Sequence, residues 1–273
     1  MSIVTFWNSS KQQTGQTLSI AAIATYMAIE HNYRILVIST TNREDNFRRC
    51  FWEQKKKKKN LGIFGPNANL EIENGIEGLA RIIRSNKIAP EVITNYTKVV
   101  FKDRLEILLG SKTNVKEDGT IDAEVQNVYP DIITTANQYY DIVLVDLDDN
   151  IEKETQKTIM HQSDIVVVNI GQRLRDIEKY SELKQQMTML QTKKVILMIG
   201  KYDKFSKYNA KNITRYLGEK NKIQTIPYNT LFFEAAEEAG VPDLFLRFRK
   251  TLDPEDRNAV FSEEVKRATE NII

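Results

Sequence analysis

The residues whose types and spacing could do chemistry are concentrated in one short loop near the start of the chain. The sequence SKQQTGQT, residues 10–17, lies between a short apolar run and a segment rich in Ala, Ile and Leu. Where a strand leads into a helix, the N–H groups at the helix N-terminus attract anions, and the helix dipole adds to that attraction. We therefore expect the amides around Thr14 to Leu18 to face a phosphate, and the Thr17 hydroxyl to bind Mg²⁺.

The elements that must position this loop alternate regularly along the chain. Apolar runs predict strands at Ser2–Trp7, Arg34–Ser39, Leu105–Leu109, Asp141–Asp146, Asp164–Asn169, Lys194–Ile199 and Ile223–Ile226. Helical spacing predicts helices at Thr17–Glu30, Ile76–Ser85, Asp122–Tyr139, Ile151–His161, Leu174–Leu190, Asn209–Gly218 and Pro254–Ile273. Short buried strands separated by helix-length segments are typical of parallel strands with crossover helices. The predicted fold is α/β, a doubly wound and mostly parallel sheet with helices on both faces.

Composition narrows the function classes. The 273 residues include 39 Lys and Arg against 37 Asp and Glu, and this formal net charge of +2 gives no global case for nucleic-acid binding. A single cysteine, Cys50, and two histidines exclude an intrachain disulfide and argue against a Cys- or His-based metal site. No signal peptide or membrane-length apolar run is evident, so we expect a cytoplasmic protein. We predict one domain, residues 1–250, with a helical extension at 251–273 packed on it.

Several motifs, in order along the chain, resemble those of the ParA/MinD family. Within the loop, Lys11, Gly15 and Thr17 match the signature lysine, last glycine and metal-binding hydroxyl of that family's deviant Walker A motif. The segment YDIVLVD, ending at Asp146, resembles its Walker B strand. The segment IPY, residues 226–228, with the later EA and Gly, resembles a stretch near the end of the family domain. The resemblance covers roughly residues 1–245.

This resemblance implies a nucleotide site and partners. ATP would bind through Lys11, Thr14, Gly15, Gln16, Thr17, Leu18 and Pro227, and Mg²⁺ through Thr17 and Asp146. Lys11 would reach across a homodimer to the partner subunit's phosphates. The family resemblance further implies a spatial organiser that recruits protein partners in partitioning, or in pilus, secretion or conjugation machinery, at a membrane or the nucleoid.

The chain departs from the family pattern where catalysis depends on it. Gln16 replaces the lysine that meets the β- and γ-phosphates, and Gln12 and Gln13 replace two glycines, the residue type that adopts a positive φ without strain. Ser39 stands where the family has the carboxylate that serves hydrolysis, and Gly200 where it has a base-binding asparagine. A neutral amide binds an anion less strongly than an ammonium. We expect ATP binding to be weak and ATP hydrolysis to be weak or absent.

Other interpretations of these residues stay open at this point. Lys11 could be an ordinary surface lysine, Thr17 could cap the first helix, and Asp146 could cap the helix after its strand. The chain could be a scaffold that binds no nucleotide and acts only through protein partners. It could instead be a working ATPase in which Asp45, Asp148 or Lys201 compensates for the lost groups.

A run of five lysines, Lys55 to Lys59, is the most conspicuous charge cluster in the sequence. Such runs usually form solvated surface loops, and contact with DNA or an anionic membrane is the alternative. Phe51 and Trp52 directly before it would add apolar contact.

Overall fold

The computed structural model describes residues 1–10, 13–41, 45–53, 75–85, 88–110, 123–250, 253 and 255–273. The described strands are β1 (Ser2–Asn8), β2 (Ile35–Ser39), β3 (Lys98–Phe101), β4 (Leu105–Leu108), β5 (Ile142–Leu147), β6 (Ile165–Asn169), β7 (Lys194–Tyr202) and β8 (Gln224–Pro227). The described α-helices are α1 (Gln16–Glu30), α2 (Asp45–Phe51), α3 (Ile76–Ser85), α4 (Ala123–Gln126), α5 (Tyr129–Ala136), α6 (Lys153–Gln162), α7 (Leu174–Gln186), α8 (Met189–Thr192), α9 (Ala210–Leu217), α10 (Thr230–Glu237), α11 (Val241–Phe248) and α12 (Arg257–Glu270), and a 3₁₀-helix spans Pro90–Tyr96.

The strands form a single eight-stranded sheet in the order β3-β4-β2-β5-β1-β6-β7-β8. All pairings are parallel except that of β3 with β4 at one edge. β1 lies between β5 and β6, with Phe6 opposite Asp146. This register brings the loop after β1 beside the carboxyl end of β5.

Alternate residues of the central strands point to opposite faces, and each face has its own core. In β1, Ile3 and Trp7 belong to one cluster, whereas Val4 and Phe6 belong to the other. Helices α3, α5, α6 and α7 contribute to the first cluster, and α1, α2, α10, α11 and α12 to the second. Burial on both faces explains why the strands are continuous apolar runs rather than alternating ones. The predicted doubly wound α/β fold is therefore confirmed.

Two long predicted helices are shorter than their sequence patterns suggest. The segment expected at 122–139 forms two helices, α4 and α5, because Pro130 lacks an N–H and occupies the first turn of α5. The segment expected at 174–190 forms α7, which ends when Met187 takes an extended backbone, followed by α8. Strand β3 was not predicted.

The C-terminal helix begins later than its sequence predicted. Its N-cap is Asp256, whose carboxylate accepts hydrogen bonds from the N–H groups of Asn258 and Ala259, so the helix begins at Arg257 and not at the predicted Pro254. Phe261, Val265 and Ile272 are buried in the cluster shared with α1 and the sheet. The helix therefore packs on the domain core, while the division of the chain at residue 250 stays a prediction. Among the described residues, no helix combines the length and apolarity needed to cross a membrane.

Candidate functional site

A cleft of about 680 Å³ opens at the carboxyl ends of the central strands, the edge at which open α/β sheets bind ligands. Its walls come from the loop after β1, the start of α1, the end of β5 and the loop that follows it, the end of β7, and helices α2 and α10. Of its described lining residues, Asp146, Asp148, Asp149 and Glu237 are acidic, and Lys201 alone is basic. A multiply anionic ligand would therefore need a cation beside it.

The start of α1 presents unpaired backbone donors to this cleft. Gly15 is the N-cap, with φ of 82°, and no side chain caps the helix. The first helical hydrogen bond runs from the Ser19 N–H to the Gly15 carbonyl, which leaves the amides of Gln16, Thr17 and Leu18 without a partner inside the helix. Free N–H groups at the start of a helix are the arrangement that proteins use to bind anions. Since no side chain caps the helix, the alternative that Thr17 is a cap is wrong.

The described part of the loop runs from the cleft back to β1. Gln13 lines the cleft. Thr14 is buried and donates its hydroxyl to the Asn8 side-chain oxygen, which ties the loop back to β1. Lys11 and Gln12 lie outside the described residues, as do Lys55 to Lys59, so the roles predicted for them stay predictions.

A buried hydrogen-bond network joins the loop to the end of β5. The Gln16 amide donates to one Asp146 oxygen at 2.6 Å and to the Leu147 carbonyl at 3.1 Å. The Thr17 hydroxyl donates to the other Asp146 oxygen at 2.8 Å. Asn169, the last residue of β6, donates to the Gln16 carbonyl oxygen at 3.4 Å. Gln16 is therefore directed towards β5 and β6 by three partners.

Burial makes the Asp146 carboxyl hard to ionise. Burial raises the pKa of Asp146 to about 6, the hydrogen bonds from Gln16 and Thr17 oppose the rise, and the nearby charge of Asp148 adds to it. Asp146 lies within β5 and not at the start of α6, whose N-cap is Glu152, so it does not cap the following helix. A carboxylate and a hydroxyl that share one hydrogen bond can both turn their oxygens to Mg²⁺, which takes few protein ligands and keeps waters and phosphates as the others.

The residues after β2 act as a brace for the end of β5. Ser39 lies opposite Asp146 in the sheet. The Thr40 hydroxyl donates to the Asp146 carbonyl at 3.0 Å and accepts from the Asp148 N–H at 2.9 Å. Thr41 lines the cleft. Hydroxyls at this point orient the backbone of the acidic loop, but they supply no carboxylate to activate water.

The end of β7 packs against the other side of the loop. A Cβ atom at Gly200 would lie 2.5 Å from the Thr14 carbonyl oxygen and 2.8 Å from the Ser19 hydroxyl. The loop in this conformation therefore excludes an asparagine, or any other side chain, at that position. Lys201 follows at a register shift in β7 with φ of 54°, and its Cγ would lie 3.0 Å from a Cβ at Gly15.

Pro227 lies beside a second, much smaller cavity. It shares this cavity of about 20 Å³ with Gly15, Leu18, Lys201 and Phe233. That volume accommodates about one water molecule. A base could occupy this place only if Lys201 or Phe233 moved.

Buried oxygens without a hydrogen-bond partner gather around the same loop. Among the described residues they include the hydroxyls of Ser10, Ser19 and Ser39 and the side-chain oxygen of Asn169. Such atoms are uncommon in folded proteins. Three of the four belong to residues at or just beyond the carboxyl ends of β1, β2 and β6, and the fourth is in the first turn of α1. These atoms therefore lie at the same edge of the sheet as the cleft.

The structure thus brings together Thr14, Gly15, Gln16, Thr17, Leu18 and Asp146 around the cleft, and places Pro227 at its small side cavity. Sequence reasoning missed Asn169, although its position at the end of a strand was a usable signal. It also missed Asn46, Phe233 and Glu237, which lie on helices α2 and α10 that it did not predict. In the described ranges, no three His, Cys, Asp or Glu side chains converge as a metal site.

Solved structures with the same fold are found among the ParA and MinD proteins. A ParA family ATPase from Chlorobium tepidum TLS is 11% identical, with a TM-score of 0.68 over 98% of this chain and 97% of that one. A plasmid partition protein from Borrelia burgdorferi B31 bound to AMPPNP is 17% identical, with a TM-score of 0.64 over 100% and 99%. The septum site-determining protein MinD from Pyrococcus horikoshii OT3, complexed with Mg-ADP, is 13% identical, with a TM-score of 0.62 over 98% and 95%. No family model matches the chain, and no curated protein matches it in sequence. At these identities the likeness establishes the fold.

Proposed function

We propose that this chain, which has the fold of the ParA and MinD ATPases, binds ATP with Mg²⁺ and hydrolyses it slowly or not at all. The observation that carries the proposal is the Thr17–Asp146 pair, 2.8 Å apart, beside the uncapped N-terminus of α1 at the base of the cleft. A hydroxyl, a carboxylate and a set of free amides in one turn suit a metal-bound phosphate.

The chain's own groups would divide the work of binding. The backbone N–H groups of Gln16, Thr17 and Leu18 would hold phosphate oxygens. The Thr17 hydroxyl and the ionised Asp146 carboxylate would hold Mg²⁺. The metal would offset the acidic lining of the cleft, which otherwise repels a polyphosphate. The assembly of the protein would then differ between its nucleotide-bound and nucleotide-free states.

Slow hydrolysis follows from what the residues around the phosphate site can do. Ser39 and its neighbours Thr40 and Thr41 offer hydroxyls, which are far weaker bases than a carboxylate. The Gln16 side chain carries no charge, and its amide group already donates hydrogen bonds to the Asp146 carboxylate and the Leu147 carbonyl. The hydroxyls after β2 are therefore poor at activating water, and the neutral Gln16 side chain is poor at stabilising negative charge in the transition state.

The biological role we propose is that of a spatial organiser or assembly factor that works as a nucleotide-linked homodimer. Its partners would be proteins of a partitioning, pilus, secretion or conjugation machine. The support for this role is the shared fold of partition and septum-site proteins. Lys11, in the loop that begins after β1, is proposed to contact the partner subunit's nucleotide.

A nucleotide-free scaffold is the second candidate, and two observations favour it. The side cavity at Pro227 has about 20 Å³, too small for a base as it stands. Gln16 and Asp146 already satisfy each other, so a ligand must compete with a buried hydrogen bond of 2.6 Å. In this case the fold would be retained only to display partner surfaces.

Calorimetric titration with ATP, with and without Mg²⁺, separates the two candidates, and light scattering reports the oligomeric state. Saturable Mg²⁺-dependent binding that promotes dimerisation supports the nucleotide switch. Lys11→Ala should then weaken ATP-dependent dimerisation, whereas Lys179→Ala, an exposed lysine on α7, should not. Absence of binding at millimolar ATP would leave the scaffold as the better account, and phosphate release at rates typical of ATPases would contradict slow hydrolysis.

A further inference from the structure

Besides the lysine run at Lys55 to Lys59, a second stretch rich in positive charge spans residues 201–222, and we call it the basic face. It contains seven basic residues and two acidic ones, a net charge of +5, in a chain whose net charge is +2. The other 251 residues therefore carry −3. The basic residues are Lys201, Lys204, Lys207, Lys211, Arg215, Lys220 and Lys222.

All seven cations of the basic face are exposed. None of them forms an ion pair with any residue that the structure describes. The nearby Glu219 is taken by Lys184 of α7 at 2.7 Å, so it neutralises a charge outside the face. Lys211 and Arg215 are one turn apart on α9, an arrangement that costs helix stability. The positive charge of the basic face is therefore not neutralised by described acidic side chains, and the repulsion between Lys211 and Arg215 lowers the stability of α9.

The loop that leads into α9 is held in shape while it exposes an aromatic ring. Gln172 accepts from the Asp203 N–H at 2.7 Å and donates to the carbonyls of Asp203 and Tyr208 at 2.9 and 3.0 Å. The Asp203 carboxylate accepts from the Phe205 N–H at 2.9 Å, which builds a turn around Lys204. The side chain of Phe205 is 87% exposed, more than any other large hydrophobic residue described. These hydrogen bonds therefore hold the backbone of the loop in a shape that leaves the Phe205 ring exposed to solvent.

We propose that the basic face docks on an anionic phospholipid bilayer, with Phe205 entering the boundary between headgroups and acyl chains. The Lys204 Nζ lies 5.2 Å from the centre of the Phe205 ring, and Lys207, whose Nζ lies 4.9 Å from the centre of the Tyr208 ring, follows two residues later. Cations beside an exposed aromatic group combine attraction to anionic headgroups with burial of apolar surface. Tyr216, 58% exposed on α9 between Arg215 and Leu217, adds a second amphipathic ring.

A bilayer explains the exposed phenyl ring better than duplex nucleic acid does. Phosphate contacts on a duplex require only cations and hydrogen-bond donors, and they give Phe205 no apolar environment. An exposed ring on a loop that also carries exposed lysines instead matches the layered interface, where polar headgroups lie directly above hydrocarbon. This docking does not depend on nucleotide binding, although Lys201 belongs both to the face and to the cleft.

Sedimentation with lipid vesicles tests the proposal on the full chain. Vesicles of phosphatidylcholine with about 30% phosphatidylglycerol should bind the protein, and pure phosphatidylcholine should bind it at least tenfold more weakly. Lys204→Gln with Lys207→Gln should lower the partition coefficient by roughly 20-fold, since each surface cation contributes about fivefold. Phe205→Ser should lower it by about tenfold without changing the dependence on salt.

Matched controls are Lys179→Gln on α7 and Leu246→Ser on α11, which remove an exposed cation and an exposed apolar side chain elsewhere. Both should bind vesicles as the unmodified chain does, and circular dichroism should show all variants folded. Equal binding to neutral and anionic vesicles would overturn the proposal, as would binding that Phe205→Ser leaves unchanged. Tight binding to duplex DNA without vesicle binding would assign the basic face to nucleic acid instead.

Discussion

Replacing Asp146 with asparagine should remove a specific pH dependence from the stability of the metal-free protein. The pKa of Asp146 rises from 3.8 to about 6 because the carboxyl is buried. The native state therefore binds a proton more tightly than the unfolded chain does. Stability from this group is fully present below about pH 4 and is lost as the pH rises through about 6. Two pKa units correspond to roughly 3 kcal/mol.

Asparagine suits the test because it keeps the network. Its side-chain oxygen can accept from the Gln16 amide, and its amide can donate to the Thr17 hydroxyl. Urea unfolding in EDTA, followed by circular dichroism, gives the free energy of unfolding at each pH between 4 and 7.5. Over that range the unmodified chain should lose roughly 3 kcal/mol relative to Asp146→Asn. Asp131→Asn, which removes an exposed carboxyl on α5, controls for loss of one charge.

A constant difference between the two stability profiles would refute this reasoning. It would mean that the hydrogen bonds from Gln16 and Thr17 compensate the ionised carboxylate for its burial. Asp146 would then be ionised at any physiological pH, and it would not have to lose a proton before binding a cation.

Three further predictions follow from the same geometry. If Mg²⁺ binds ionised Asp146 as we propose, calorimetric affinity for Mg²⁺-ATP should fall by up to about tenfold for each pH unit below 6, more steeply than for metal-free ATP. Gly15→Ala should lower the free energy of unfolding by at least as much as Gly218→Ala, which should lower it by about 1–2 kcal/mol. Both glycines have a positive φ, but only a Cβ at Gly15 would also contact Lys201. A smaller loss for Gly15→Ala than for Gly218→Ala would show that the loop relaxes. Phe261→Ala should cost about 3–5 kcal/mol in urea unfolding because its ring is fully buried in the second core, and a cost below 1 kcal/mol would show that α12 is dispensable.

Local sequence was a good guide to the elements and a poor guide to their ends. The helix predicted at Ile76–Ser85 has the same bounds in the structure, because its apolar spacing is regular and Gly78 lies in the first turn, where it does not end the helix. The prediction at 122–139 failed at Pro130, whose position in a first turn was readable from the sequence. Strand β3 was missed because a short, half-exposed edge strand lacks a continuous apolar run.

The sequence by itself determined the α/β class, the parallel core of the sheet and the place of the phosphate loop, because apolar runs, helical spacing and Gly15 are local properties. Only the tertiary structure decided what the loop residues do. Gln16 meets Asp146 across 130 positions, and Gly200 fits against Thr14 with no room for a side chain. Such contacts depend on which strands become neighbours and in what register. That choice follows from how the whole core packs, which no local pattern along the chain encodes.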